Sequence, residues 1–173
     1  MKNKDTLLEN RTFYYFDKLT KIPRCSFEEE KIRDYLISFA KDHNLEYRTD
    51  TIGNVVIVKE ATEGYEDVDS IILQGHMDMV CEKTPECIID FSKDPIKYEI
   101  DGDLIIARET TLGADNGIAV AMTLALLESD EYKHPKIEAL FTVNEESGMT
   151  GAGNLEKGMV TSKRLLNIDS ETE

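Results

Sequence analysis

Ser70-Ile71-Ile72-Leu73-Gln74-Gly75-His76-Met77-Asp78 is the stretch on which the fold turns. Residues 70–75 form a short apolar run of the kind buried on both faces of a sheet, and such strands belong to sheets covered by helices. A histidine and an acid follow directly, where the strand leaves the sheet. Downstream, Asn116 to Leu127 (NGIAVAMTLALL) reads as a nearly all-apolar, deeply packed helix. Ile137 to Val143 reads as another buried strand, and Arg164 to Ile168 as a last one. Upstream, Asn54 to Lys59 is a β-branched run behind a Gly53-Asn54 turn, which predicts a strand. Strands alternating with helices predict a three-layer α/β/α domain with a mixed sheet.

The flanking segments fill in around these elements. Leu7, Leu8, Phe13, Phe16 and Leu19 recur at helical spacing and predict one helix from Leu7 to Ile22, ended by Pro23. Ser26 with Glu29 reads as a capping box for a second helix whose stripe is Ile32, Tyr35, Leu36, Phe39 and Ala40. Ala61 to Asp69 is an acidic turn. Ile96–Ile100 and Leu104–Ala107 around Asp101-Gly102 predict a hairpin. Asn154 to Lys157 predicts a short helical turn stopped by Gly158.

Composition excludes several function classes. Over 173 residues, 20 Lys and Arg against 35 Asp and Glu leave a net charge of −15. A phosphate backbone demands a basic footprint, and anionic membrane surfaces demand Lys and Arg, so neither nucleic acid nor membrane is an expected partner. At 40% hydrophobic residues the chain is too apolar for a disordered acidic tail. No apolar run approaches the roughly 18 residues of a membrane span, and the charged N-terminus lacks a signal peptide's apolar core. Cys25, Cys81 and Cys87 are odd in number and contain no CxxC; Cys81 and Cys87 could pair by spacing alone, but the pattern predicts free thiols in a reducing cytoplasm.

The polar residues of interest gather at strand ends. His76 and Asp78 follow strand 70–75, Asp115 precedes the apolar helix, Glu145 and Glu146 follow strand 137–143, and Asp169 follows strand 164–168. Each alone has an ordinary reading: a hydrogen-bonded structural histidine, a helix cap, a solvated acidic pair, a loop acid. In α/β sheets, however, ligands collect outside the carboxyl ends of strands. One histidine and up to five carboxylates converging there would repel unless they took up protons or a cation. Imidazole with carboxylates suits zinc, cobalt or manganese, and a bridging carboxylate can hold two such ions. His43, at a helix end, and His134, in a charged loop beside Pro135, read as surface residues; Met77 and Met79 read as packing residues.

Four motifs carry a resemblance. Gln74-Gly-His76-Met-Asp78-Met-Val80, Thr110-Thr-Leu-Gly-Ala-Asp115-Asn-Gly117, Asn144-Glu145-Glu146-Ser-Gly148 with Thr150-Gly-Ala152, and Leu166-Asn-Ile-Asp169-Ser-Glu171 stand in this order. They resemble the aminoacyl-histidine dipeptidases of the co-catalytic zinc aminoacylase/carboxypeptidase-like peptidases. The resemblance implies hydrolysis of Xaa-His dipeptides of the carnosine type by a water held between two divalent ions, zinc in first place, with cobalt or manganese as alternatives. It implies that His76 and Asp169 bind the first metal, Asp115 bridges, and Glu146 binds the second. Glu145 is then the general base, and Asp78 orients His76 through its other ring nitrogen. It also implies a cis peptide bond at Asp115–Asn116.

Members of that family are far longer. The resemblance therefore implies that residues 1–173 are the N-terminal part of a catalytic domain, incomplete at its C-terminal end and without the lid domain. The second metal site would lack a histidine supplied from near the family's C-terminus. A monomer is the default expectation for such a piece, with little turnover by itself. A related tripeptidase or N-acyl-amino-acid amidohydrolase, or a non-catalytic metal-binding fragment, are the other readings.

Overall fold

The computed structural model describes residues 4–169. Chain order is α1 (Lys4–Leu8), α2 (Arg11–Leu19), α3 (Glu30–Asp42), β1 (Glu46–Thr49), β2 (Val55–Lys59), β3 (Ile71–His76), β4 (Glu99–Asp101), β5 (Leu104–Ile106), α4 (Ala114–Glu128), β6 (Ile137–Thr142), α5 (Thr150–Gly153) and β7 (Arg164–Asn167). Five strands form one sheet in the order β1-β2-β6-β3-β7, and β4 with β5 forms a separate hairpin. β1, β2 and β6 pair antiparallel, whereas β6, β3 and β7 run parallel. The sheet is mixed and the fold α/β, as expected.

Alternation across the strands builds two apolar faces. Val55, Ile57, Leu73, Ile137, Ala139 and Phe141 point to one side, where they meet buried residues of α2, α3 and α4. Val56, Val58, Ile72 and Leu140 point to the other, where Leu155, Met159 and Val160 cover them. Among the described residues the helical layer therefore lies on one face, and an irregular segment lies on the other. α4 is apolar nearly all round because it packs between α2 and the sheet.

Several local expectations change. The predicted helix 7–22 is two helices, because the Asn10 side chain accepts a hydrogen bond from the Thr12 N–H at 3.0 Å and caps a fresh start. β1, polar along both faces, carries no apolar alternation and was not anticipated. The short helix falls at 150–153 rather than 154–157. His134 is buried rather than exposed: its N–H donates to Thr62 Oγ1 at 2.9 Å, and Thr62 N–H donates back to its carbonyl. Cys25 and Cys81 form a disulfide, which corrects the expectation of free thiols; Cys87 is free. Spacing cannot reveal that pair, since the contact is made by tertiary structure. Met79 N–H donates to the Arg24 carbonyl, laying 24–25 beside 79–81 with the two Cα atoms 5.7 Å apart.

Candidate metal centre

Three parallel strands deliver the site. In register, His76 of β3 lies opposite Thr142 of β6, and Gln74 of β3 opposite Asn167 of β7. All three strands consequently release their chains at the same edge of the sheet. β3 connects to β6 on one side while β6 connects to β7 on the other, so a crevice opens where the connections diverge. A fourth segment arrives from the hairpin side. Thr84 N–H donates to the Glu109 carbonyl and Thr111 N–H to the Glu82 carbonyl, which lays 109–111 along 82–84 and brings Gly113 to Asp115 beside the end of β3.

His76, at the end of β3, is 1% exposed. Its Nδ1 lies 3.2 Å from Asp78 Oδ1, and its Nε2 lies 3.1 Å from Asp115 Oδ1, 3.7 Å from Glu145 Oε2 and 4.0 Å from Asp169 Oδ2. Ligand atoms of His76, Asp115 and Glu146 all fall within 4.8 Å of one another, as do those of His76, Glu145 and Asp169. Five of the six residues singled out in the sequence thus meet at the crevice, and the sixth, Asp78, lies behind His76. Asp169 falls in one group with His76 and Glu145, and Glu146 in another with His76 and Asp115. The Asp115–Asn116 peptide bond is cis, as expected.

Asp78 is fully buried and faces inward to the loops rather than to the crevice. It accepts from Ser26 Oγ at 2.8 Å and from the backbone N–H groups of Glu145 and Glu146 at 3.1 and 3.3 Å. Burial alone would raise its carboxyl, but His76, Ser26 and the Glu145 N–H outweigh burial and hold it below the usual range. For His76, burial disfavours the imidazolium; Asp78, Glu145 and Asp115 reverse that and push it up to about 8. Glu145 is raised by burial and by Asp169, Asp78 and Asp115, against the opposing pull of His76. Glu146 is raised by burial, Asp115, Glu145 and Asp78, again against His76. The closely spaced acids thus raise Glu145, Glu146 and the His76 imidazole together.

The donor set fits a divalent cation. One imidazole and four carboxylates converge on a crevice, no thiolate is needed, and the second nitrogen of the imidazole is held by a buried acid. His43 and His134 cannot contribute. His43 follows the far end of the 13-residue α3, stacked 4.3 Å from Phe39, and His134 precedes β6 at the edge opposite the crevice.

Several supporting residues escaped the sequence reading. Ser26 and Glu29 do not form a capping box. Ser26 holds Asp78, while the Glu29 carboxylate accepts the Asn144 N–H at 2.9 Å, steadying the turn that carries Glu145. Asn54 Oδ1 accepts the Val143 N–H at 3.1 Å, and its amide donates to the Gly151 carbonyl at 2.9 Å, closing the same turn from beneath. Asn116 donates to Asp169 Oδ1 at 3.2 Å and to the Ile168 carbonyl at 3.0 Å. A signal existed only for Ser26 and Glu29, whose spacing has a commoner local meaning.

Comparison with known proteins agrees with this geometry. The family model for "Peptidase family M20/M25/M40" matches residues 72–170, which hold every candidate ligand. The chain is 42% identical, over 158 residues, to the cytosol non-specific dipeptidase of Escherichia coli (strain K12), covering 91% of this chain and 33% of that protein. Its structure is similar to that of the aminoacylhistidine dipeptidase of Vibrio alginolyticus, with a TM-score of 0.94 and 45% identity over 99% of this chain and 35% of that one. A tripeptidase of Staphylococcus aureus superposes with a TM-score of 0.80 at 25% identity, covering 95% of this chain and 44% of that one. The chain therefore spans about a third of the length of the dipeptidases it matches. Four motifs in order, a shared crevice and a family match over more than half the chain lead to one conclusion: this chain belongs to peptidase family M20/M25/M40.

Proposed function

We propose that the protein is a metal-dependent dipeptidase acting on Xaa-His dipeptides, and that residues 1–173 are the N-terminal part of its catalytic domain. The observation that carries this reading is the meeting of His76, Asp115, Glu145, Glu146 and Asp169 at one crevice. The name of the Vibrio alginolyticus relative supports Xaa-His substrates, and that of the Escherichia coli relative, a non-specific dipeptidase, supports dipeptides in general and a cytosolic setting. No helix among the described residues is long and apolar enough to cross a membrane.

In this reading His76, Asp115 and Asp169 would hold one ion, and Asp115 and Glu146 would contribute to a second site, zinc being the leading candidate. A pair of divalent ions supplies a water acidic enough to attack near neutral pH and polarises the scissile carbonyl. Glu145, whose Oε2 lies 3.7 Å from His76 Nε2, would be the base that takes a proton from the attacking water and returns it to the leaving amine. Asp78, 3.2 Å from His76 Nδ1, would accept that nitrogen's proton and leave Nε2, on the crevice side, to ligate an ion. Ser26 and the two backbone N–H groups leave Asp78 no freedom to turn away.

Glu145→Gln tests the assignment. The variant should abolish hydrolysis of carnosine by the whole protein while binding metal close to normally, because the amide removes the base and not the implied ligands. Loss of metal binding in step with activity would make Glu145 a ligand. A panel including tripeptides and N-acyl-amino acids decides substrate class, and hydrolysis of those in preference to Xaa-His would overturn the dipeptidase reading.

A further inference from the structure

Arg24 lies beneath the crevice, 2% exposed, with no carboxylate partner in any ion pair among the described residues. A buried guanidinium normally finds an acid. This one gives its two terminal nitrogens to backbone instead, and its buried Nε has no hydrogen-bond partner among the described residues: Nη1 donates to the carbonyls of Met77 at 3.3 Å and Asp78 at 2.9 Å, and Nη2 donates to the carbonyl of Gly113. Met77 and Asp78 directly follow His76, and Gly113 stands two residues before Asp115. One planar group thereby joins the two loops that carry the two closest candidate ligands.

The surrounding sequence is cut to admit it. A Cβ at Gly113 would come within 2.5 Å of Arg24 Nη2, and one at Gly117 within 2.6 Å of the same atom. Gly113, at φ +71, also needs glycine's conformational freedom; Gly117, inside α4, has no such need, so room for the guanidinium accounts for it. Burial pulls Arg24 down to about 10, while Asp78, Asp115 and Glu146 hold it up, so it stays charged at neutral pH.

We propose that Arg24 is a positioning residue for the metal centre: a fixed internal cation that sets the separation of His76 and Asp115 before a metal arrives. The role rests on the metal-centre reading above. A planar fork holding both loops by their carbonyls presets geometry in a way a single ammonium cannot. Its charge also offsets part of the repulsion among the crevice acids.

The test is Co2+ binding to the purified protein, followed by calorimetry and by the visible absorption of the bound ion. Arg24→Met should weaken binding about 10- to 100-fold and alter the spectrum, as loss of a residue supporting metal ligands does. Arg24→Lys should recover part of the affinity. Gly117→Ala keeps the charge and favours helix, but its methyl pushes the flexible end of Arg24 aside; it should fold and still bind Co2+ more weakly. It decides the matter if Arg24→Met does not fold. Wild-type affinity and spectrum in Gly117→Ala and in whichever Arg24 variants fold, whatever their stability, would overturn the role of Arg24 and leave the metal centre standing. Absence of Co2+ binding by the wild type would instead overturn the metal centre, and the role assigned to Arg24 with it.

Discussion

At the scale of single residues, the site is governed by the difference between acids that face the crevice and one that does not. Asp115, Glu145, Glu146 and Asp169 point at a common space, whereas Asp78 is enclosed and committed to four donors or partners on the protein side. Asp78→Asn keeps the shape but replaces an acceptor-only carboxylate by a group that must present two donors somewhere. Either the His76 ring or the Glu145 turn then loses its acceptor. We expect metal affinity to fall about 10- to 100-fold, measured by competition with a chelating dye. An unchanged affinity would mean that the His76 ring is oriented by packing alone. His76, Asp115, Glu145, Glu146 and Asp169 were all legible in the sequence because each sits where an apolar strand or loop ends. Arg24 and Asn54 were not, because a residue that supports a site through backbone carbonyls or N–H groups has no sequence pattern of its own.

At the scale of elements, β6 illustrates how a buried strand carries a charge safely. Glu138 is fully buried in the middle of the sheet, facing the side covered by 155–160. It accepts from the N–H and hydroxyl groups of Thr161 and Ser162, and from Arg48 Nη1 at 3.2 Å. Burial pushes its carboxyl up; the Ser162 and Thr161 hydrogen bonds more than reverse this and bring it to about 2, from 4.5. A folded-state value below the unfolded one contributes stability above about pH 4.5, and that contribution disappears as pH falls toward about 2. The shift corresponds to roughly 3 kcal/mol at neutral pH. Glu138→Gln should therefore be less stable than wild type at pH 7 in urea unfolding, with the gap closing between pH 4.5 and 2. A gap independent of pH would show that shape and not charge holds the segment 161–162 to the sheet. The segmentation of α1 and α2 at Asn10, and the polar edge strand β1, are the elements that periodicity missed. An N-cap competes successfully with a continuing apolar stripe, and an edge strand needs no apolar face to pair.

At the scale of the whole molecule, the crevice depends on four segments far apart in the chain, held by the parallel trio β6, β3 and β7. An ion bound there ties these segments together in the folded state alone, so it should stabilise the protein by about 2.7 kcal/mol at a hundred times its dissociation constant. Dialysis against a chelator should lower the melting temperature, and Zn2+ or Co2+ should restore it; indifference to both would count against any resident metal. With His76 the only one of the chain's three histidines at the crevice, residues 1–173 should hold one ion more tightly than a second in a metal titration. The sequence alone determined the alternation of strands and helices, the mixed α/β class and the identity of the crevice acids. Those properties are local: apolar periodicity, β-branching and the residues that end a strand can be read in order along the chain. Tertiary structure alone decided the Cys25–Cys81 pairing, the burial of His134, the conversion of Ser26 and Glu29 from a helix cap into supports, and the placing of Arg24 under the site. Each of those depends on which group meets which across more than 40 residues of intervening chain, and local pattern holds no information about that meeting.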